Sequence, residues 1–222
     1  MKPFILVRIQ VPEPRKIPRI REGFFLCYPL VMNTRFHNTY YALRHGESVS
    51  NRAGLIQSDL EQGQHESLGL TPLGKDQVLS TIVDAQIANL IDRSTLILSS
   101  PYTRCLETAQ IVKEQIKAIN PIQFDDRLRE RDFGELNDQP IQSYQEVWDA
   151  DKAGSAHPDH NVESATMVLH RVMSLIHELE KRYQDRTFLL VSHGDTLHIL
   201  QAGILQKPAH LHQELPPLKN GE

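Results

Sequence analysis

The chain has 222 residues, which fit one domain with an extension, and 40% of them are hydrophobic and 23% charged, as in ordinary globular proteins. The formal net charge of −4 argues against a nucleic-acid surface, because such a surface needs many cations to neutralise phosphates. The two cysteines, Cys27 and Cys105, show neither a zinc-ligand spacing nor a disulfide framework. Neither begins a Cys-x5-Arg loop, so a thiolate nucleophile is not expected.

The first 38 residues differ in composition from the rest of the chain. Prolines and basic residues come first, and a short apolar run follows that Pro29 interrupts. This run is too short to span a membrane and no small-residue cleavage site follows it, so we predict no signal peptide and expect a cytoplasmic protein. We interpret 1–38 as an extension of uncertain status before a domain at 39–222. Within it, 1–31 is taken as accessory or misassigned, with Met32 as a natural start.

A buried β-strand is predicted over 39–43, and Arg44, His45 and Gly46 follow it directly, with Asn51 five residues beyond the glycine. Ligands of open α/β sheets bind outside the carboxyl ends of the strands, so chemistry is expected here. The charge of Arg44 disfavours a protonated His45, which leaves a neutral nitrogen nucleophile beside a guanidinium that suits phosphate. Taken alone, the tripeptide is better explained as a solvated strand end.

A second strand-to-helix junction follows further along the chain. The polar stretch 52–69 is interpreted as a loop over the pocket, and a helix is predicted from 72 to about 92. A buried strand over 95–98 leads to Ser100, the predicted cap of a helix that begins at Pro101. Arg104 lies in the first turn of that helix, where free backbone N–H groups also attract anions.

Arg104 has two interpretations. It could pair with Glu107 on a solvated helix face. Its position at a strand-to-helix junction, like that of the first motif, favours a phosphate contact.

The stretch 124–135 is dense in charges of both signs, which is typical of a surface salt-bridge cluster. Phe133 and Gly134 interrupt it with an apolar anchor and a turn. One carboxylate of this stretch could instead be held over the pocket as a proton donor. We select Glu130 for this role, with Asp132 in reserve.

Residues 137–162 are polar and irregular, with a short helix predicted around 141–149. His157 and His160 resemble a metal-ligand pair, but companion ligands are missing, so we interpret them as part of a loop and expect no metal. A long helix is predicted from 163 to about 184.

The clearest buried strand covers 187–191 and leads into Ser192, His193 and Gly194, followed by a helical pattern. This repeats the order strand, histidine, glycine and helix that is seen at His45. A glycine after the histidine lets the backbone approach a ligand closely. Two such junctions, with Arg104 at a third, predict one shared pocket.

Five segments in this order resemble the histidine phosphatase superfamily, the phosphoglycerate-mutase-like proteins. They are Leu43–Asn51, Leu70–Gly74, Ser99–Arg104 with Thr108-Ala109, Leu128–Gly134 and Ser192–Gly194, and the resemblance covers roughly 39 to 215. One such motif is weak evidence, whereas five in order are strong. The resemblance implies an α/β fold, a three-layer α/β/α sandwich with a mostly parallel sheet.

The resemblance also implies roles for individual residues. His45 is the expected nucleophile, which takes the phosphoryl group onto nitrogen, and Glu130 is the expected acid and then base. Arg44, Arg104 and His193 count as catalytic as well as phosphate-binding. The expected substrate-binding set is Arg44, Asn51, Arg104, His193 and Gly194.

Hydrolysis is favoured over intramolecular phosphoryl transfer. Mutases that resemble this chain carry a Gly-Trp-x-Asp segment, which 52–69 lacks, and a longer insertion than the one between Glu130 and His193. We predict a metal-independent phosphomonoesterase that works through a phosphohistidine on His45. A phosphoglycerate mutase and a non-catalytic phosphate-binding protein are the alternatives.

The remaining expectations concern partners and the end of the chain. We expect a small phosphorylated metabolite as partner, no cofactor, no nucleic acid and no membrane, and a homodimer is left open. Family members usually continue into a last strand beyond 215–222, so either a truncated chain or an absent strand is expected.

Overall fold

Five strands form a single sheet in the computed structural model, which describes residues 7–9, 36–154, 159–216 and 219–221. The sheet order is β1–β2–β5–β3–β4, where β1 is antiparallel to β2 and the other neighbours are parallel. The strands are β1 (Val7–Ile9), β2 (Thr39–Arg44), β3 (Leu96–Ser99), β4 (Gln123–Phe124) and β5 (Thr187–Ser192).

Helices cover both faces of the sheet. The α-helices of the described residues are α1 (Val49–Ala53), α2 (Leu60–Gly63), α3 (Pro72–Ile87), α4 (Thr103–Ile116), α5 (Tyr144–Lys152), α6 (Ala165–Arg182) and α7 (Gly194–Ile204). Short 3₁₀ turns lie at Glu66–Leu68, Asp126–Leu128, Gly134–Leu136, Ile141–Ser143 and Ala209–Glu214.

Alternate strand residues supply two separate hydrophobic cores. Tyr41 and Leu189 point to the core shared with α3 and α4, whereas Tyr40 and Phe188 point to the core shared with α6 and α7. Strands that are buried on both faces read as continuous apolar runs, and this is why β2 and β5 stood out in the sequence. The predicted three-layer sandwich with a mostly parallel sheet is confirmed.

The register of the two central strands positions the site. β2 and β5 pair in parallel from Thr39 opposite Thr187 to Arg44 opposite Ser192, so both strands end at the same level. The residues that follow them, His45 and His193, are therefore neighbours although they are far apart in the chain.

Several predicted element bounds are wrong. α3 ends at Ile87 rather than near 92, since Asn89 adopts a left-handed φ of 54° that a helix cannot contain. The stretch 52–69, predicted as a loop, contains α2, whose first turn is capped by the side chain of Asp59.

The start of α4 differs from the prediction in a way that matters for the site. This helix begins at Thr103, with Tyr102 in the N-cap position, rather than at Pro101 with a Ser100 cap. The hydroxyl of Ser100 lies instead against the ring of His193.

Some predictions fall outside the described residues. Of the extension, only Val7–Ile9 and residues 36–38 are described, and Val7–Ile9 pair with Ala42 to Tyr40. Pro29, Met32 and most of 1–31 lie outside the described residues, as does His157. The division at residue 38 stays a prediction. In the described ranges, no helix has both the length and the apolar character that a membrane crossing needs.

Candidate active site

His45 and His193 lie side by side at the carboxyl ends of β2 and β5. Their ring centroids are 5.2 Å apart, and the backbone N–H of His45 donates to the carbonyl of Ser192 at 3.1 Å. Both side chains are buried. The two histidines that sequence analysis selected are thus brought together by strand register.

Arg104, in the first turn of α4, joins the two rings. Its Nε donates to His45 Nε2 at 3.1 Å, and its Nη2 lies 3.0 Å from His193 Nδ1. A guanidinium has only donors, so both ring nitrogens that face it are acceptors without a proton. The remaining nitrogens carry the protons: His45 Nδ1 donates to the carbonyl of Gly46 at 2.7 Å, and His193 Nε2 donates to Ser100 Oγ at 2.7 Å.

Electrostatics support these neutral tautomers. Burial lowers the pKa of His45 well below its ordinary value, and the charges of Arg104 and Arg44 lower it further. Burial also lowers the pKa of His193 well below the ordinary value, with Arg104 as the next cause. Both imidazoles are therefore uncharged at neutral pH, and His45 Nε2 presents a lone pair to the cationic guanidinium.

Arg44 and Gly194 meet where β5 passes into α7. A Cβ atom on residue 194 would lie 3.1 Å from Arg44 Cζ, which is tight contact, so glycine leaves room for the guanidinium. The side chain of Arg44 is largely enclosed, and burial lowers its pKa somewhat while Glu130 opposes that shift.

Two backbone N–H groups fix the position of the Glu130 carboxyl. Its Oε1 accepts from the N–H of Arg131 at 2.9 Å and from the N–H of Thr196 at 3.2 Å, and only 7% of the residue is exposed. Burial raises its pKa, the carboxylate of Asp195 raises it further, and Arg104 acts in the opposite direction. The reserve candidate Asp132 is exposed and accepts from the N–H of Gly134 at 2.8 Å, so it serves a turn.

Asn51 lies on α1, directly after the first motif. It forms a capping box with Ser48, in which the Ser48 hydroxyl accepts from the Asn51 N–H and Asn51 Oδ1 accepts from the Ser48 N–H at 3.2 Å. The cap fixes the start of α1 and the orientation of the Asn51 amide.

Gln57 is a site residue that sequence analysis missed. Its side-chain oxygen accepts from Arg104 Nη1 at 2.6 Å and its carbonyl accepts from Nη2 at 3.0 Å, so it fixes the position of the guanidinium beside the two histidines. Nothing in the local sequence pattern marks it, because its partner lies on α4. Ser100 was missed for a related reason, since a serine before a helix looks like a cap.

A buried ionic network behind Glu130 was also missed. Arg131 is fully buried and binds Asp151 through both terminal nitrogens at 2.6 and 2.9 Å, and Asp195 at 3.1 Å. Asp195 Oδ1 lies 3.0 Å from His212 Nε2, and the other ring nitrogen of His212 faces the Ala209 carbonyl. Burial lowers the pKa of His212, but the Asp195 carboxylate outweighs burial and raises it. The stretch 124–135 is thus only partly the surface cluster that its composition suggests.

The second histidine of the loop pair does not join the site. His160 is exposed, with a left-handed φ of 64°, and lies 3.6 Å from Glu135 and 3.4 Å from Glu146. Across the described ranges, no group of three or more His, Cys, Asp or Glu side chains is arranged to hold a metal ion.

The arrangement as a whole is a small cationic pocket with a carboxyl of raised pKa, that of Glu130, at its edge. Two arginines supply charge, and the unprotonated Nε2 of His45 carries a lone pair that can bond to an electrophile once Arg104 turns to a ligand. On this fold, the phosphoglycerate-mutase-like α/β sandwich, such a pocket suits a phosphoryl group.

A family profile matches this chain and agrees with a pocket for a phosphoryl group. The profile described as histidine phosphatase superfamily (branch 1) matches residues 40–222. The chain therefore belongs to the histidine phosphatase superfamily, and the predicted resemblance and the prediction of an enzyme of this type are confirmed.

Curated relatives and solved structures are similar over most of the chain. A "probable phosphoglycerate mutase GpmB" of Yersinia pestis (strain Pestoides F) is 31% identical over 79% of this chain and 78% of the relative. The protein of the same name from Proteus mirabilis (strain HI4320) is 29% identical over 79% and 78%.

Two solved structures share the fold. A mycobacterial glucosyl-3-phosphoglycerate phosphatase complexed with VO3 has a TM-score of 0.64 and 24% identity, covering 81% of this chain and 86% of that one. A putative alpha-ribazole-5'-P phosphatase from Escherichia coli has a TM-score of 0.63 and 24% identity, covering 82% and 86%. The cytoplasmic location and the homodimer stay predictions.

Proposed function

We propose that the protein is a metal-independent phosphomonoesterase that hydrolyses a small phosphorylated metabolite through a phosphohistidine on His45. The observation that carries this proposal is the hydrogen bond from Arg104 Nε to His45 Nε2. Because Nε2 accepts this bond, it carries no proton, and it lies beside a guanidinium that can bind a phosphate. The 2.7 Å bond from His45 Nδ1 to the Gly46 carbonyl fixes the tautomer and the ring orientation.

In the first half-reaction, His45 Nε2 attacks phosphorus and the bond between phosphorus and the ester oxygen breaks. Glu130 donates its proton to that oxygen, which leaves as an alcohol. The N–H groups of Arg104 pass from the histidine rings to the phosphate oxygens, and Arg44 and Asn51 donate to the same oxygens. Because the charge spreads over the three oxygens, positioned cations supply most of the stabilisation.

In the second half-reaction, the Glu130 carboxylate removes a proton from water. The water oxygen attacks phosphorus, the bond from phosphorus to His45 Nε2 breaks, and inorganic phosphate leaves with Glu130 protonated again. A carboxyl that gives and then takes a proton works best with a pKa raised toward neutrality, which its burial supports.

The comparisons support the substrate class and also supply the main alternative. The structural neighbours named as phosphatases carry names of small phosphorylated metabolites, and this is why a metabolite is proposed. The relatives named as probable phosphoglycerate mutases favour phosphoryl transfer as the second candidate. The lack of a Gly-Trp-x-Asp segment in 52–69 favours hydrolysis.

The test is phosphate release from a panel of phosphomonoesters in the presence of a chelator, with His45→Ala as the control. We expect release from at least one ester and a loss of about a thousandfold or more in His45→Ala, since removal of a covalent nucleophile abolishes its pathway. An acid-labile phosphoenzyme should form in the wild type and be absent in the variant. Interconversion of the phosphoglycerates without release from any ester would assign the mutase activity. Full activity in His45→Ala would refute the mechanism.

A further inference from the structure

The segment Lys219–Gly221 lies against the end of β2, beside the proposed nucleophile. The N–H of Gly221 donates to the carbonyls of Arg44 and His45 at 3.2 and 3.1 Å. The hydroxyl of Thr81, on α3, donates to the Gly221 carbonyl. Gly221 has a left-handed φ of 74°, which favours glycine at this position.

Asn220 makes the contact that concerns the site. Its Nδ2 donates to the carbonyl of His45 at 3.3 Å and to Asn51 Oδ1 at 3.0 Å. It therefore connects the backbone of the proposed nucleophile to the side chain of a proposed phosphate ligand.

The orientation of both amides follows from backbone partners that have only one hydrogen-bonding role. The carbonyl of His45 can only accept, so the Asn220 atom that faces it is the NH2 group. The N–H of Ser48 can only donate, so the Asn51 atom that faces it is the oxygen. The oxygen of Asn51 thus accepts from Ser48 and from Asn220, and the NH2 group points away from both.

We propose that Asn220 is a positioning residue, which holds the amide of Asn51 with its NH2 group turned toward the phosphate of the substrate. In the described part of the chain, Asn51 Nδ2 makes no hydrogen bond, so it is available to a phosphate oxygen. A flipped Asn51 would place its NH2 against two donors and would offer its oxygen to an anion. The inference rests on the proposed function, in which Asn51 contacts the phosphate.

The test compares Asn220→Ala with Asn220→Asp. Loss of the donor in Asn220→Ala weakens one constraint, and kcat/KM should fall roughly fivefold, as expected for one hydrogen bond. Asn220→Asp places a carboxylate where Asn51 needs a donor, which favours the flipped amide. The loss should then be roughly tenfold greater than in Asn220→Ala, because an unfavourable contact replaces a missing one.

A double-mutant cycle separates positioning from a general structural effect. In an Asn51→Ala background, Asn220→Ala should change kcat/KM less than about twofold, because no amide is left to orient. Asn220→Asp should lose there only the part of its effect that acts through Asn51, because its carboxylate still faces the His45 carbonyl. Asn120→Asp is the control for the added net charge: Asn120 lies just before the edge strand β4, which two strands separate from β2, and the substitution should leave kcat/KM unchanged.

The outcomes distinguish this inference from the proposed function. Equal activity of Asn220→Asp and Asn120→Asp, or full losses that persist in the Asn51→Ala background, would overturn the positioning role. If the wild type releases no phosphate from any ester, the proposed function fails. Binding of inorganic phosphate then tests the positioning role, and it should be weaker in Asn220→Asp than in Asn120→Asp; equal binding would overturn it.

Discussion

Asp151 binds a buried arginine, so its removal should destabilise the fold strongly. Arg131 is 0% exposed and Asp151 1%, and two hydrogen bonds of 2.6 and 2.9 Å join them. In Asp151→Ala the guanidinium keeps Asp195 at 3.1 Å but loses its bidentate partner and cannot reach water. Breaking a buried ion pair costs about 3–5 kcal/mol. Since one partner remains, we expect the lower end, about 3 kcal/mol, and a fall in Tm of roughly 6–12 °C.

The assay is urea unfolding at neutral pH, followed by tryptophan fluorescence and circular dichroism. Asp149→Ala is the matched control, because Asp149 is exposed on the same helix and should cost about 0.5 kcal/mol or less. Asp151→Asn keeps the shape of the side chain but not its charge, so its loss in free energy of unfolding should lie between those of Asp149→Ala and Asp151→Ala. A loss below about 1 kcal/mol in Asp151→Ala would refute the view that Arg131 depends on this pair.

Two further predictions concern the acid and the packing of the motif. The proposed first step requires protonated Glu130, so kcat/KM should fall as the pH rises through the pKa of Glu130. The Asp195 carboxylate raises that pKa, so Asp195→Asn should move the fall in kcat/KM to lower pH. A pH profile that does not shift would contradict this role of Asp195. Gly46→Ala would place a Cβ 2.2 Å from the carbonyl oxygen of Gly74, so the backbone must move. We expect the free energy of unfolding, measured in urea, to fall by about 1–3 kcal/mol, and activity to be lost. A variant as stable as the wild type would show that this contact is not tight.

The sequence alone predicted the central strands and the residues that follow them. Strands buried on both faces must be apolar throughout, and this made β2 and β5 visible without any tertiary information. Glycines after both histidines, and an arginine at a third junction, then indicated one pocket. His45, His193 and Arg104 were selected on this basis and lie together in the structure. Glu130 was selected from the charged stretch 124–135, and its carboxyl interacts electrostatically with Arg104 and Arg44.

The residues that sequence analysis missed act through partners that are distant in the chain. Gln57 has a role at the site because Arg104 reaches it from α4, and the hydroxyl of Ser100, predicted as a helix cap, lies 2.7 Å from His193 Nε2. Arg131 lies in a charged stretch that resembles any solvated surface, and only packing shows that it is fully buried.

Local pattern therefore determined which strands and motifs exist, because backbone periodicity and burial leave a trace in neighbouring residues. Tertiary structure decided how the site works. The parallel register of β2 and β5 sets the 5.2 Å distance between the two histidine rings. The tautomer of His45 follows from hydrogen bonds to Arg104 and to Gly46, and Asn51 Oδ1 accepts from Asn220, which lies near the other end of the chain. Hydrogen bonds and charge are set by distance in space, and a linear pattern does not record such distances.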